Sequence, residues 1–220
     1  MATISDPLLR AVLANNPTTP AEIMRAIQVS VDRRQPQIAR PLVERLLQAN
    51  LDGETAAALR DAYGTAAFLR LARVPDLAPA GGQLATTVLT AADAWARDPA
   101  RLITAVEQLG DASPGSRRAA FRILSQGGTA SVAPLVAALA DAGRANQHPI
   151  VRDALVALGR DVLPPVLGAV EAPDPALQTH LIAILARLRA GEAVPFLLAA
   201  AAAEDGDPAL RRAAQDALLS

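Results

Sequence analysis

Three stretches decide the fold: "VAPLVAAL" at 132–139, "LPPVLGAV" at 163–170 and "VPFLLAAA" at 194–201. They align without gaps, and each begins 31 residues after the one before it. Each keeps apolar residues at positions i, i+3, i+4 and i+7, which is the spacing of one stripe along an α-helix. A fourth stretch, "LITAVEQL" from Leu102, begins 30 residues before the first of them and lacks the proline. Self-similarity at a fixed period predicts a repeat architecture.

Each repeat unit is predicted to contain a second helix as well. This helix begins where a proline follows a residue that can cap a helix. Pro in the first turn loses no intrahelical hydrogen bond, and Asp or Ser before it caps the helix. Asp98–Pro99 and Asp6–Pro7 are further helix starts of this kind. A two-helix unit of about 31 residues buries its apolar stripes only when neighbours stack on it. The four starts are "SPGSRRAAFRIL" (113–124), "HPIVRDALVAL" (148–158, where His148 is a poorer cap), "DPALQTHLIAIL" (174–185) and "DPALRRAAQDALL" (207–219).

The segments "DPALRRAAQDALL" and "EAVPFLLAAA" (192–201) resemble the two halves of HEAT repeats, in the short form first described in phycobilisome lyases. The resemblance covers roughly residues 82–220. It implies an all-α fold, a right-handed α-solenoid of stacked antiparallel helix pairs, which is a HEAT-like superhelix. Because that family includes scaffolds, adaptors and a few enzymes, the resemblance indicates the fold much more than the function.

The chain divides, by this reading, into a degenerate helical N-terminal cap at 1–80 and regular HEAT-like repeats at 81–220, of which the last is incomplete. The stripe Leu210, Ala214 and Leu218 would be covered by a further helix, so we expect a piece of a longer array; the alternative is that this half-repeat itself acts as the cap. In the N-terminal part the predicted helices are 20–32, 36–50, 54–63 and 65–73, followed by a Pro- and Gly-rich break at 74–82 with a turn at Gly81–Gly82.

Composition narrows the classes of partner. The net charge is −1, all 21 basic residues are Arg, and only 2% of residues are aromatic, so no basic field for nucleic acid is indicated. The local cluster Arg33, Arg34, Arg40 and Arg45 is interpreted as a solvated face. The absence of Cys excludes disulfides and thiolate chemistry. The longest uncharged apolar run, 193–203, is shorter than the ~20 residues of a membrane span, and no signal peptide is visible. We expect no nucleic acid, no membrane and, by default, a cytoplasmic monomer or part of a longer chain.

Arg117, Arg152 and Arg211 stand three residues after the proline in three of the four helix starts, and Gln178 takes that place in the fourth. We interpret the arginines as a structural ladder; an anion-binding groove is the alternative. His180 replaces Ala119, Ala154 and Ala213 of the equivalent positions, and it has no second ligand at metal or dyad spacing along the sequence. It is therefore interpreted as a partly exposed polar substitution.

The helices at 162–170 and 193–203 carry no polar side chain, which is typical of a surface buried on most sides. The aligned positions Pro134, Pro165 and Phe196 lie off the buried stripe, and they are the candidate residues for binding a partner helix or peptide on a concave face. The leading hypothesis is a protein–protein interaction scaffold with no catalytic residue, cofactor or metal. The alternatives are a HEAT-like enzyme, either DNA glycosylase-like or chromophore-lyase-like, and a structural segment of a larger multidomain protein.

Overall fold

The structure, a computed structural model, describes residues 6–14, 16–203 and 206–219, and its regular secondary structure in those residues is entirely helical. The prediction of an all-α protein is confirmed. The helices form two compact units, Met1–Ala96 and Arg97–Ser220. The first unit contains α1 (Pro7–Ala14), α2 (Pro20–Asp32), α3 (Pro36–Gln48), α4 (Gly53–Tyr63), α5 (Thr65–Ala72) and α6 (Ala80–Ala96).

The second unit has eight α-helices in the part of the chain that is described: α7 (Pro99–Gln108), α8 (Pro114–Gly127), α9 (Val132–Ala140), α10 (His148–Ala157), α11 (Leu163–Val170), α12 (Pro175–Arg187), α13 (Val194–Ala202) and α14 (Pro208–Leu218). Helices α7, α9 and α11 contact one another in chain order, and so do α10, α12 and α14. In addition, helices that are consecutive along the chain pack in pairs, α7 on α8, α9 on α10, α11 on α12 and α13 on α14.

Helices α9, α11 and α13 begin at Val132, Leu163 and Val194, which are the starts that the sequence register predicts. A short 3₁₀ turn precedes each of them, at Gly128–Ser131, Arg160–Val162 and Gly191–Ala193. The last residue of each turn is buried, so the turn delivers a side chain to the core directly before the helix starts. Turn and helix together therefore form one recurring element of the second unit.

The predicted apolar stripe is largely buried in α9 and α11 but partly exposed in α13. In α9 the stripe residues Val132, Leu135 and Leu139 are buried. In α13, by contrast, Val194 and Leu198 are 40% and 55% exposed, and Phe196 packs against the core beside the buried Leu197. Phe196 is half-buried, as are the aligned Pro134 and Pro165, and its role in partner binding stays a prediction.

Side-chain caps begin several of the helices, and those at Asp98, Ser113, Asp174 and Asp207 stand at predicted helix starts. The side chains of Asp52, Asp98, Ser113, Asp174 and Asp207 each accept a backbone N–H from the first turn of the next helix. Such a cap contributes roughly 1 kcal/mol. His148 does not act as a cap: it is the first residue of α10, and Gln147 stands at the cap position without a side-chain hydrogen bond. The His148 side chain is used elsewhere.

The Pro- and Gly-rich segment at 74–82 is a shorter break than predicted, because α6 already begins at Ala80. Gly81 and Gly82 therefore lie in the first turn of a helix, and the predicted turn at this pair is wrong. Gly81 is buried, and a Cβ there would lie 2.6 Å from the carbonyl oxygen of Leu71. Only glycine lets α6 start this close to the end of α5.

One stretch of the described chain, Pro114–Ala140, is long and apolar enough by length and composition to cross a membrane. The stretch is not one continuous α-helix, since Gly128 interrupts it with a φ of +55°. Its two helices, α8 and α9, have 14 and 9 residues, and each is shorter than the ~20 residues that a span requires. The expectation of no membrane contact stays a prediction.

Candidate functional site

An apolar groove lies between α7 and α9 in the second unit, with a volume of about 480 Å³. Leu102 and Val106 of α7 are buried and form its floor. Ile103, on the same helix, is 50% exposed and stands in the wall. The α9 side contributes the half-buried Pro134 together with small alanine side chains. Ligand-binding cavities in proteins have roughly this volume and are mostly apolar.

Two arginines, Arg97 and Arg144, are the polar residues that line this groove. Arg144 lies 3.2 Å from a carboxylate oxygen of Asp141 and 3.7 Å from one of Glu107. The margin of the groove therefore carries both signs of charge, while the floor and the walls are hydrocarbon. Such a site can bind an apolar side chain and orient a polar group beside it.

Of the three predicted partner-binding residues, the structure places only Pro134 in this groove. Pro165 lies on α11 and is half-buried, and Phe196 lies on α13 with its ring against the core. Ile103 was not among the candidates, because its stretch lacks the proline that marks the aligned positions. The sequence feature that could have indicated Ile103 is its bulky apolar side chain directly after the stripe residue Leu102.

In two of the four helices, the side chain three residues after the proline donates a hydrogen bond to a backbone carbonyl. Arg117 donates from Nη1 to the carbonyl oxygens of Asp111 (2.7 Å) and Ala112 (3.0 Å) in the connector before α8. Gln178 donates from Nε2 to the carbonyl of Val170 at the end of α11, over 2.9 Å. Both side chains thus satisfy carbonyl groups that a helix end or a connector leaves open.

Arg152 has the same register but a different contact, because His148 has taken over the connector. His148 Nε2 lies 3.0 Å from the carbonyl oxygen of Asp141, at the end of α9. Arg152 instead points to α12, where its Nη1 lies 3.3 Å from Nδ1 of His180. Arg211, the third member of the proposed ladder, lies in α14 and is half-buried. The ladder as a whole stays a prediction.

The two histidines of the chain meet at this point. Their ring centroids are 4.7 Å apart and the planes are inclined by 73°, an edge-to-face contact. The sequence signal was available: the two residues are 32 positions apart, one more than the repeat period, so they occupy nearly the same place in neighbouring units. Spacing within one helix, which is the usual search for a ligand pair, does not reveal it.

Two of the four arginines in the cluster of the first unit form ion pairs. Arg33 lies 3.2 Å from Asp6, and Arg40 lies 3.3 Å from Glu44 one turn further along α3. Asp32, which begins the cluster in the sequence, pairs with Arg70 at 3.2 Å. These pairs are exposed and contribute at most about 1 kcal/mol each, but they neutralise part of the basic charge.

Among the residues that the structure describes, no group of three or more His, Cys, Asp or Glu side chains is placed to hold a metal ion. No protein-family model, no curated protein and no solved structure matches the chain.

Proposed function

We propose that the second unit is a right-handed, HEAT-like α-solenoid whose repeats are the helix pairs around α9, α11 and α13. The spacing of their starts supports the proposal, together with the two sets of helices that contact one another in chain order. Stacking of this kind exposes one set of helices along a continuous surface. That surface is where a partner would bind.

We propose that this scaffold binds an apolar helix or peptide of a partner protein in the groove between α7 and α9, without catalysis of its own. The observation that carries the proposal is the hydrocarbon lining of the groove, with Ile103 half-exposed and Leu102 beneath it. Small side chains on α9, such as Ala133 and Ala137, allow a partner backbone to approach closely. A bulky side chain of the partner would fill the volume over Leu102, as in other helix-in-groove complexes.

The test is a selection of peptides on the purified chain from a displayed random peptide library. We expect the selected peptides to share apolar anchor residues at helical spacing. Ile103→Asp places a charge in the wall of the groove, and burial of an isoleucine side chain stabilises by roughly 1.5–3 kcal/mol. The affinity of the selected peptides for Ile103→Asp should therefore fall by at least about tenfold, measured by fluorescence anisotropy.

The matched control is Leu69→Asp, because Leu69 is 49% exposed and Ile103 is 50% exposed, while Leu69 belongs to the first unit. Leu69→Asp should leave peptide affinity unchanged. Peptides that bind wild type and Ile103→Asp equally well would contradict the proposed groove. Salt-dependent binding of duplex DNA with no selected peptide would favour the glycosylase-like alternative. Phe196→Asp is a less clean variant, since Phe196 packs against the core.

A further inference from the structure

The contact between α10 and α12 is built from three groups that can each carry a positive charge. His148 is 9% exposed and its ring meets the ring of His180 edge to face. Arg152, one turn after His148 on the same helix, reaches Nδ1 of His180. Because Arg152 carries a positive charge, a proton added to His180 would place two positive charges next to each other in this contact.

The hydrogen bonds fix which nitrogen of each ring carries the proton. A guanidinium only donates, so Nδ1 of His180 must accept from Arg152, and the neutral ring carries its hydrogen on Nε2. A backbone carbonyl only accepts, so Nε2 of His148 must donate to Asp141. A proton added to His180 therefore goes to Nδ1, where it faces the N–H groups of Arg152 and breaks that hydrogen bond.

The surrounding helices supply little negative charge to offset a proton at this place. Helices α9 and α11, which pack on α12 or lie next to it, contain no titratable side chain. On α10, Asp153 is 2.5 Å from Arg187 of α12 and is engaged there. Helix α14 carries Arg211, Arg212 and Asp216, none of which is among the charges that act on His180. The one carboxylate that acts on the ring is Asp174, the cap of α12.

We propose that His148, His180 and Arg152 form a proton-sensitive contact that holds α10 against α12 at neutral pH and weakens it in mild acid. The contact is independent of the groove between α7 and α9. Because α10 and α12 belong to neighbouring helix pairs, protonation of this contact should loosen the packing between those two pairs.

Whether acid stabilises or destabilises the fold depends on which state, folded or unfolded, binds the proton on His180 more weakly. Burial lowers the pKa of His180 below its ordinary value of about 6.5, and the neighbouring His148 and Arg152 lower it further, against the opposing charge of Asp174. Below pH ~6.5 the unfolded chain takes up this proton before the folded chain does. The stabilising contribution is therefore complete above the ordinary pKa and is lost as the pH falls through and below it.

The experiment is an NMR titration of the two imidazoles in the whole chain, with urea unfolding at about pH 7.5 and about pH 5.5, on either side of the ordinary pKa. His180→Ala restores the alanine of the equivalent positions, so this variant should fold. We expect His180 to titrate below pH ~6.5 in wild type and closer to that value in Arg152→Ala. Wild type should lose more of its urea midpoint on acidification than His180→Ala does.

Arg117→Ala is the matched control, because Arg117 has the register of Arg152 but contacts connector carbonyls. It should leave the His180 titration unchanged. A His180 that titrates at or above pH ~6.5 overturns the proposal. So does an equal loss of midpoint in wild type and His180→Ala, since the carboxylates common to both would then account for the acid effect. The wild-type titration decides the matter even if a variant fails to fold.

Discussion

Two junctions in the first unit and two in the second bring helices together by different means. In the first unit backbones approach directly: Gly81 meets the carbonyl of Leu71, and a Cβ on Gly53 would lie 2.9 Å from Cβ of Trp95. In the second unit long side chains, such as those of Arg117 and Gln178, bridge to carbonyls. A helix contact made through glycine leaves no room for an added atom. A contact made by a long side chain can adapt to connectors of different length. The second unit can therefore vary its connectors and keep a constant helix register.

The largest expected effect breaks the first kind of junction. Gly81→Ala adds a methyl group 2.6 Å from a backbone oxygen, so α5 and α6 must move apart. Overpacking of this kind costs typically about 1–3 kcal/mol. Gly82→Ala is the matched control, since a Cβ there meets nothing within 4 Å and alanine suits the helix better. Urea unfolding should show a lower midpoint for Gly81→Ala and an equal or higher one for Gly82→Ala; equal midpoints for both variants would mean that the junction yields freely.

A smaller difference in stability is expected when the buried serine of each unit is replaced by alanine. Ser131 donates to the carbonyl of Leu124 in the preceding helix, and Ser30 donates to the carbonyl of Ala26 within its own helix, both over 2.7 Å. Ser131→Ala removes a bond between two elements and should cost about 1 kcal/mol. Ser30→Ala removes only a bond to a carbonyl of the same helix, four residues back, and should be close to neutral. Thermal unfolding of both variants measures the difference, and a larger loss for Ser30→Ala would reverse this ranking.

The difference between the units also explains what the sequence predicts well. The starts of α9, α11 and α13 follow from a 31-residue period, and α2 has the predicted limits because Pro20 and the Thr19 cap define its start. Gly81 was misplaced because Pro- and Gly-rich composition indicates a break, and the close approach of Leu71 is a tertiary contact with no local signal. The helices predicted at 36–50, 54–63 and 65–73 nevertheless match α3, α4 and α5 to within two residues, because their limits are set locally.

The candidate sites, too, could be predicted from the sequence only where the repeat register indicates them. Pro134 was found by aligning the repeats, and the structure places it in the groove with Ile103. The exposure of Val194 and Leu198, two stripe residues of α13, depends on how neighbouring helices cover that helix and is not encoded in the stripe. The meeting of His148 and His180 could have been inferred by searching at the repeat distance instead of at helical spacing. Register thus predicts which residues are neighbours, but not the roles that they take.

The smallest expected effect sharpens this distinction between register and role. Gln178→Ala leaves the carbonyl of Val170 without its side-chain donor, and Arg117→Ala does the same for Asp111 and Ala112. Because these groups are partly reached by water, each loss should be about 0.5–1 kcal/mol in urea unfolding. Gln178→Arg restores the residue found at the equivalent positions and keeps a donor, so it should match wild type. If Gln178→Arg were as unstable as Gln178→Ala, the space between α12 and the end of α11 would admit only the shorter side chain, and register alone would not predict which donor fits there.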